Sequence, residues 1–169
     1  MNILSNQPIR VDFKPERIER TATFTINEKI ENVFPLFGPI REMEWADGWN
    51  PEIIYRSHDQ VLVEEHMIFQ TNGQLDEGKY TWVITTFQPK NYLIEYTVST
   101  VERIWFIKAH CASAGDKTQV NVTYSYTGLT DLGNQRNAKA LKRMFADDLK
   151  DWEAAINYYL KTGKVLTSN

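Results

Sequence analysis

The chain reads as an α+β domain: a curved antiparallel sheet folded around a long C-terminal helix, with two short helices after the first strand. Three observations predict this. Segments of alternating polar and apolar residues recur between residues 21 and 126, separated by turn dipeptides. The period then changes to three and four from about Asn134 to Lys161. Between the first strand and the rest lie broken helical spacings around Pro35 and Gly38-Pro39.

Thr21 to Ile26 alternates, with Ala22, Phe24 and Ile26 on one face. Asn27 can cap the next element, where Ile30, Val33, Phe34 and Phe37 fall at helical spacing. A second short helix is expected from Ile40 to about Ala46, before the turn dipeptides Asp47-Gly48 and Asn50-Pro51 around Trp49. Strands are expected at Glu52 to Ser57, Val61 to Thr71, Lys79 to Phe87, Tyr92 to Val98, Arg103 to Ala112 and Thr118 to Tyr126. Asn72-Gly73 and Ser113-Ala114-Gly115-Asp116 mark hairpin turns. Connections this short make sequential strands antiparallel neighbours. In the last segment Ala138, Leu141, Phe145, Leu149, Trp152, Ile156 and Tyr159 form one stripe. Lys139, Arg143, Asp147, Lys150 and Asp151 lie opposite. One amphipathic helix of ~40 Å is expected, stopping near Gly163.

At 169 residues the chain suits a single domain, 1–169, with its core at about 20–162, large enough to bury a core without disulfides. A net charge of −3 and no basic face argue against nucleic acid as a partner. The lone cysteine, Cys111, excludes an internal disulfide. Met1 to Arg10 lacks the pattern of a signal peptide, and no apolar run reaches the ~20 residues of a membrane span. A cytoplasmic protein is expected, with no cofactor or metal implied; a homodimer is left open.

The opening passage from Thr25-Ile26-Asn27 to Glu44-Trp45-Ala46-Asp47-Gly48-Trp49-Asn50-Pro51 resembles the START-like, or SRPBCC, superfamily of helix-grip domains. So do the central meander, Tyr80-Thr81-Trp82-Val83 through Leu93-Ile94-Glu95-Tyr96, and the C-terminal helix. The resemblance covers about Arg20 to Lys161. It implies an apolar small molecule, such as a lipid, polyketide or aromatic compound, held between sheet and helix, with some members resembling polyketide cyclases and dehydratases.

Candidate residues come from strand alternation. Cys111 and His110 are adjacent on a strand and point to opposite faces, so they form no dyad. Glu64 and His66 belong to an outer face, and no set of metal ligands converges. Glu65, by alternation with Met67 and Phe69, is expected to face inward. Arg103 shares a face with Trp105, Ile107 and Ala109, while Glu102 and Lys108 take the other. A carboxylate and a guanidinium in an apolar space must pair with each other or with a ligand; the alternative is a pair at the sheet rim, open to water. The expected ligand contacts are Glu65, Met67, Phe69, Trp82, Tyr96, Arg103, Trp105, Tyr124, Tyr126 and Trp152. Trp45 and Trp49 are expected to pack the short helices or cap the cavity mouth. Three functions fit: a binder of an apolar small molecule; a cyclase or dehydratase using Glu65 as acid and Arg103 for an enolate oxygen; and a protein-interaction module.

Overall fold

The computed structural model describes residues 13–74, 76–146 and 149–167. Met1 to Arg10 and Asp147 therefore lie outside the described residues. Strand β1 (Arg17–Ile26) leads into helix α1 (Ile30–Val33) and two 3-10 turns, Phe34–Phe37 and Arg41–Glu44. Six strands come next: β2 (Glu52–Tyr55), β3 (Ile68–Asn72), β4 (Lys79–Gln88), β5 (Leu93–Ser99), β6 (Arg103–Ala114) and β7 (Lys117–Gly128). Helices α2 (Asp131–Met144) and α3 (Lys150–Thr162) close the chain.

All seven strands form one antiparallel sheet in the order β1-β7-β6-β5-β4-β3-β2. The short hairpin connections explain the run from β2 to β7. Only β1 pairs out of sequence, with Ala22 opposite Val122 and Phe24 opposite Val120. Alternation decides which faces are buried: Ala22, Phe24 and Ile26 on β1, and Trp105, Ile107, Ala109 and Cys111 on β6, are in the core. His110 is exposed beside buried Cys111, as strand geometry requires. Residues from Thr71 on β3 to Tyr124 on β7 line the same interior space as residues of α2 and α3, so the sheet curves around it. No helix among the described residues is long and apolar enough to cross a membrane.

Two expectations from pattern fail locally. The strand expected over Val61 to Thr71 is only Ile68–Asn72. Met67 N–H donates to Glu64 O at 3.3 Å, and His66 sits at φ 69°, a left-handed conformation that ends the strand alternation. The single helix expected over Asn134 to Lys161 is two. Phe145 leaves helical geometry after α2, and Leu149, at φ 58°, precedes α3. No glycine or proline marks this break. Leu141, Phe145, Leu149 and Trp152 keep spacings of three and four across it, so periodicity alone cannot reveal it. Burial does: Phe145 and Leu149 both enter the core at the bend. Helix α2 starts at Asp131, where Thr130 caps it by accepting from Gly133 N–H at 3.1 Å. Helix α3 ends at Gly163, at φ 68° and with its N–H on Tyr159 O at 2.7 Å.

Candidate functional site

The space between the sheet and the helices is a cavity of about 570 Å³, within the range of small-molecule sites. Strands β4 to β7 supply one wall, since their inward residues repeat every second position. Trp82 stands on β4, Tyr96 on β5, Trp105 on β6, and Tyr124 and Tyr126 on β7; Trp152 comes from α3. Phe37 from the first 3-10 turn and Trp45, just after the second, complete the wall.

The rings pack on one another. Trp105 stacks on Tyr126 with centroids 5.7 Å apart, and Tyr126 on Tyr124 at 5.9 Å. Trp45 and Trp152 meet edge to face at 5.7 Å. Several polar heads of these rings are satisfied within the protein. Trp45 Nε1 donates to Leu36 O at 2.8 Å, Trp82 Nε1 to Thr71 Oγ1 at 2.9 Å, and Tyr96 OH to Phe37 O at 2.5 Å. Trp49 Nε1 donates to Pro39 O at 2.7 Å and its ring meets Trp82 at 5.3 Å, which holds the short turns against the sheet end.

Other heads are not. Among the described residues, the hydroxyls of Tyr124 and Tyr126 and the indole N–H of Trp105 have no hydrogen-bond partner, although each of these residues is buried and lines the cavity. Burial pushes both hydroxyls up from the ordinary phenol range. Arg103 Nη1, on the same lining, is buried without a partner among the described residues, so the wall offers several groups that an occupant could hydrogen-bond.

Arg103 turns inward and is 5% exposed. Its partner is Glu77, not Glu65. Nε and Nη2 reach the two Glu77 oxygens at 2.8 and 2.7 Å, a bidentate pair. Tyr80 OH donates to Glu77 Oε2 at 2.5 Å, and the guanidinium lies over the Trp105 ring at 4.7 Å. Arg136 on α2 approaches the same carboxylate at 3.7 Å and pairs with Asp76 at 2.5 Å. The loop between β3 and β4 is thereby tied both to the sheet and to α2.

Glu65 is a correction. Its side chain is 47% exposed, 3.9 Å from His66 and accepting from Phe87 N–H at 3.0 Å. The left-handed turn at His66 breaks the alternation that would have carried Glu65 inward. Met67 and Phe69 are fully buried, but they are not among the residues lining the cavity. Phe69 stacks on Trp82 at 5.4 Å, on the core side. Trp82, Tyr96, Arg103, Trp105, Tyr124, Tyr126 and Trp152 do gather around the cavity.

Alternation did not point to Glu42. It lines the cavity from the turn Arg41–Glu44, and burial pushes its carboxyl well above the ordinary range. Its signal was weak: one acid in a short helical stretch beside Trp45. Glu77 was hidden because a loop has no face to read.

No protein-family model matches the chain, and no curated protein matches it in sequence. Solved structures do match in shape. Norcoclaurine synthase from Thalictrum flavum, in complex with dopamine and hydroxybenzaldehyde, superposes with a TM-score of 0.62 at 12% identity over 100% of this chain and 99% of its own. A Streptomyces aromatase/cyclase gives 0.65 at 11% identity over 90% of this chain and 100% of its own. Major latex-like protein 151 from Panax ginseng gives 0.57 at 12% identity over 82% and 96%. The fold is the START-like, SRPBCC-type helix grip. In this helix-grip chain the gripped element is the bent pair α2 and α3. Likeness at such identities establishes the fold and leaves the chemistry to the residues in the cavity.

Proposed function

We propose that this helix-grip chain binds a largely apolar, ring-bearing small molecule in the cavity between the sheet and helices α2 and α3. One observation carries the reading: a cavity of about 570 Å³ walled by aromatic rings from sheet and helices, into which Tyr124, Tyr126 and Trp105 bring polar heads that no described protein group satisfies. Flat rings stack on such walls, and the polar heads orient a ligand that carries oxygen or nitrogen. The fold's solved neighbours support this, since the norcoclaurine synthase structure holds two small aromatic compounds. Trp82, Tyr96, Trp152 and Arg103 are the further proposed contacts. The Arg103 charge is already balanced by Glu77, so it shapes and polarises the wall instead of demanding an anion. Acid–base catalysis through Glu65 has no support, because Glu65 faces outward.

Fluorescence titration with aminoanthracene tests the reading. Saturable binding at one site per chain is expected, with quenching of tryptophan emission. Ala109, buried on β6 and lining the cavity, is the place to fill it. Ala109→Trp, and the milder Ala109→Leu if the first does not fold, should weaken binding by roughly tenfold or more through overpacking. Absence of saturable binding, or binding indifferent to both substitutions, overturns the proposal. Native mass spectrometry of the freshly purified protein would identify a co-purifying occupant.

A further inference from the structure

The part of the cavity wall that comes from the short turns and the start of α3 is aromatic and acidic. The turn Arg41–Glu44 and the first turn of α3 form it, bringing Glu42 and Asp151 to the lining. Phe37, Trp45, Trp152 and Tyr124 line the same cavity and form one cluster: ring centroids lie 6.4 Å apart for Phe37 and Trp45, 5.7 Å for Trp45 and Trp152, and 6.5 Å for Tyr124 and Trp152. After burial and its neighbour Tyr126, the charges of Glu42 and Asp151 raise the Tyr124 hydroxyl further, which places both acids within electrostatic reach of it.

Among the described residues, no ion pair joins Glu42 or Asp151 to a cation. Arg41, on the same turn as Glu42, is paired with Glu44 at 2.5 Å. From β6, Arg103 is held by Glu77, and from α2, Arg143 donates to Gln74 at 2.8 Å. From β5 and β7, the groups facing Glu42 are the neutral hydroxyls of Tyr96 and Tyr124. Asp47, which also lines the cavity, adds a third acid at its rim. Burial alone acts on the Glu42 carboxyl, which has no hydrogen-bond partner among the described residues. Tyr124 is 3% exposed with its hydroxyl unpartnered, an independent sign that a ligand group belongs here.

A carboxyl in that setting is costlier to ionise than in water, and a cation beside it offsets that cost. Aromatic ring faces attract cations through their quadrupoles. We infer that this part of the cavity is a subsite for a protonated amine on the ligand, with Glu42 as its counter-ion, the Tyr124 hydroxyl as an acceptor and the rings of Trp45 and Trp152 as its walls. This rests on the binding reading above and names the chemistry of one end of that ligand. The ammonium enters with its charge and forms an ion pair with the Glu42 carboxylate, and any proton the carboxyl held goes to the solvent.

Calorimetry with naphthylethylamine and naphthylethanol, matched but for the amine, tests this on the full chain. Near about pH 7 the amine should bind roughly tenfold tighter, the scale of a hydrogen-bonded charge. Glu42→Gln should bring the amine-to-alcohol ratio to about one. Tyr124→Phe should lower that ratio a few-fold, and it serves if the first variant does not fold. An alcohol that binds as well as the amine overturns the amine subsite alone. So does a preference that survives Glu42→Gln. If neither compound binds, the cavity reading itself falls.

Discussion

Single residues in this chain are governed by what reaches them. Cys111, 2% exposed, has its thiol pushed up to about 12 by burial, so it is a packed side chain and not a nucleophile. Glu42 is the residue whose environment has a measurable cost in stability. Burial raises its pKa in the folded state above the unfolded value, so between the two the native state holds a proton that the unfolded chain has lost. Wild-type stability therefore falls as pH rises through that window, and below it the effect vanishes. Glu42→Gln removes the dependence. Urea midpoints at about pH 5 and about pH 8 should show the variant gaining on the wild type at the higher pH. Parallel midpoints would contradict the burial of this carboxyl. At this scale the inward turn of Arg103 was legible, because Glu102 and Lys108 claim the other face of β6. Its partner was not, because a residue adjacent in space but 26 positions away leaves no periodic trace.

Elements were legible where one face is buried and the other wet. β1, β5, β6 and β7 follow alternation closely, since slipping one residue would expose the whole apolar set, while β4 shifts register between Ile84 and Thr86. β3 was overextended because a left-handed residue, His66, looks ordinary in sequence. The bend between α2 and α3 was invisible for the opposite reason: the stripe is continuous while the backbone is not. The seat of α2 depends on a close approach that makes an unusual prediction. A Cβ on Gly133 would collide with the backbone carbonyl of Glu102, and one on Gly128 with Asn134. Glycine to alanine in a helix usually stabilises by about 1 kcal/mol. Gly133→Ala should instead destabilise by roughly 1–3 kcal/mol, because backbone cannot yield as a side chain can. Thermal denaturation decides the sign, and a raised midpoint would show that α2 does not sit against β6 as described. Nearby, Asn137 is 1% exposed with both amide atoms unpaired, a local cost within the same helix.

On the scale of the molecule, the fold and the cavity are one construction: the curved sheet needs something to close on, and the bent helix pair closes it incompletely. That incompleteness costs stability, since unfilled volume forfeits packing. An occupant should return it. A ligand at about one hundred times its dissociation constant contributes about 2.7 kcal/mol, which for a chain of this size corresponds to a rise of roughly 5–10 °C in Tm. Aminoanthracene should produce such a shift in the wild type and a smaller one in Ala109→Leu. An unmoved midpoint under saturating probe would count against the cavity as a binding site. The presence of a cavity wall was legible in the aromatic residues of β4 to β7, but which part of it carries the acid depended on the short turns, where no pattern exists to read.

The out-of-order pairing of β1 has a consequence for how the chain comes into being. Thr21 and Thr123, whose hydroxyls meet at 2.8 Å, stand 102 residues apart. During synthesis β1 leaves the ribosome first, and its only sheet partner leaves nearly last. Until residue 128 has emerged, β1 is an unmatched edge and β6 lacks its neighbour. The meander from β2 to β6 can assemble by local hairpins as it emerges, but the sheet closes over the cavity only when both ends of the chain meet, a step of high contact order and correspondingly slow. β1 thus waits for a strand that the rest of the meander separates from it, and the helix pair that closes the cavity follows later still.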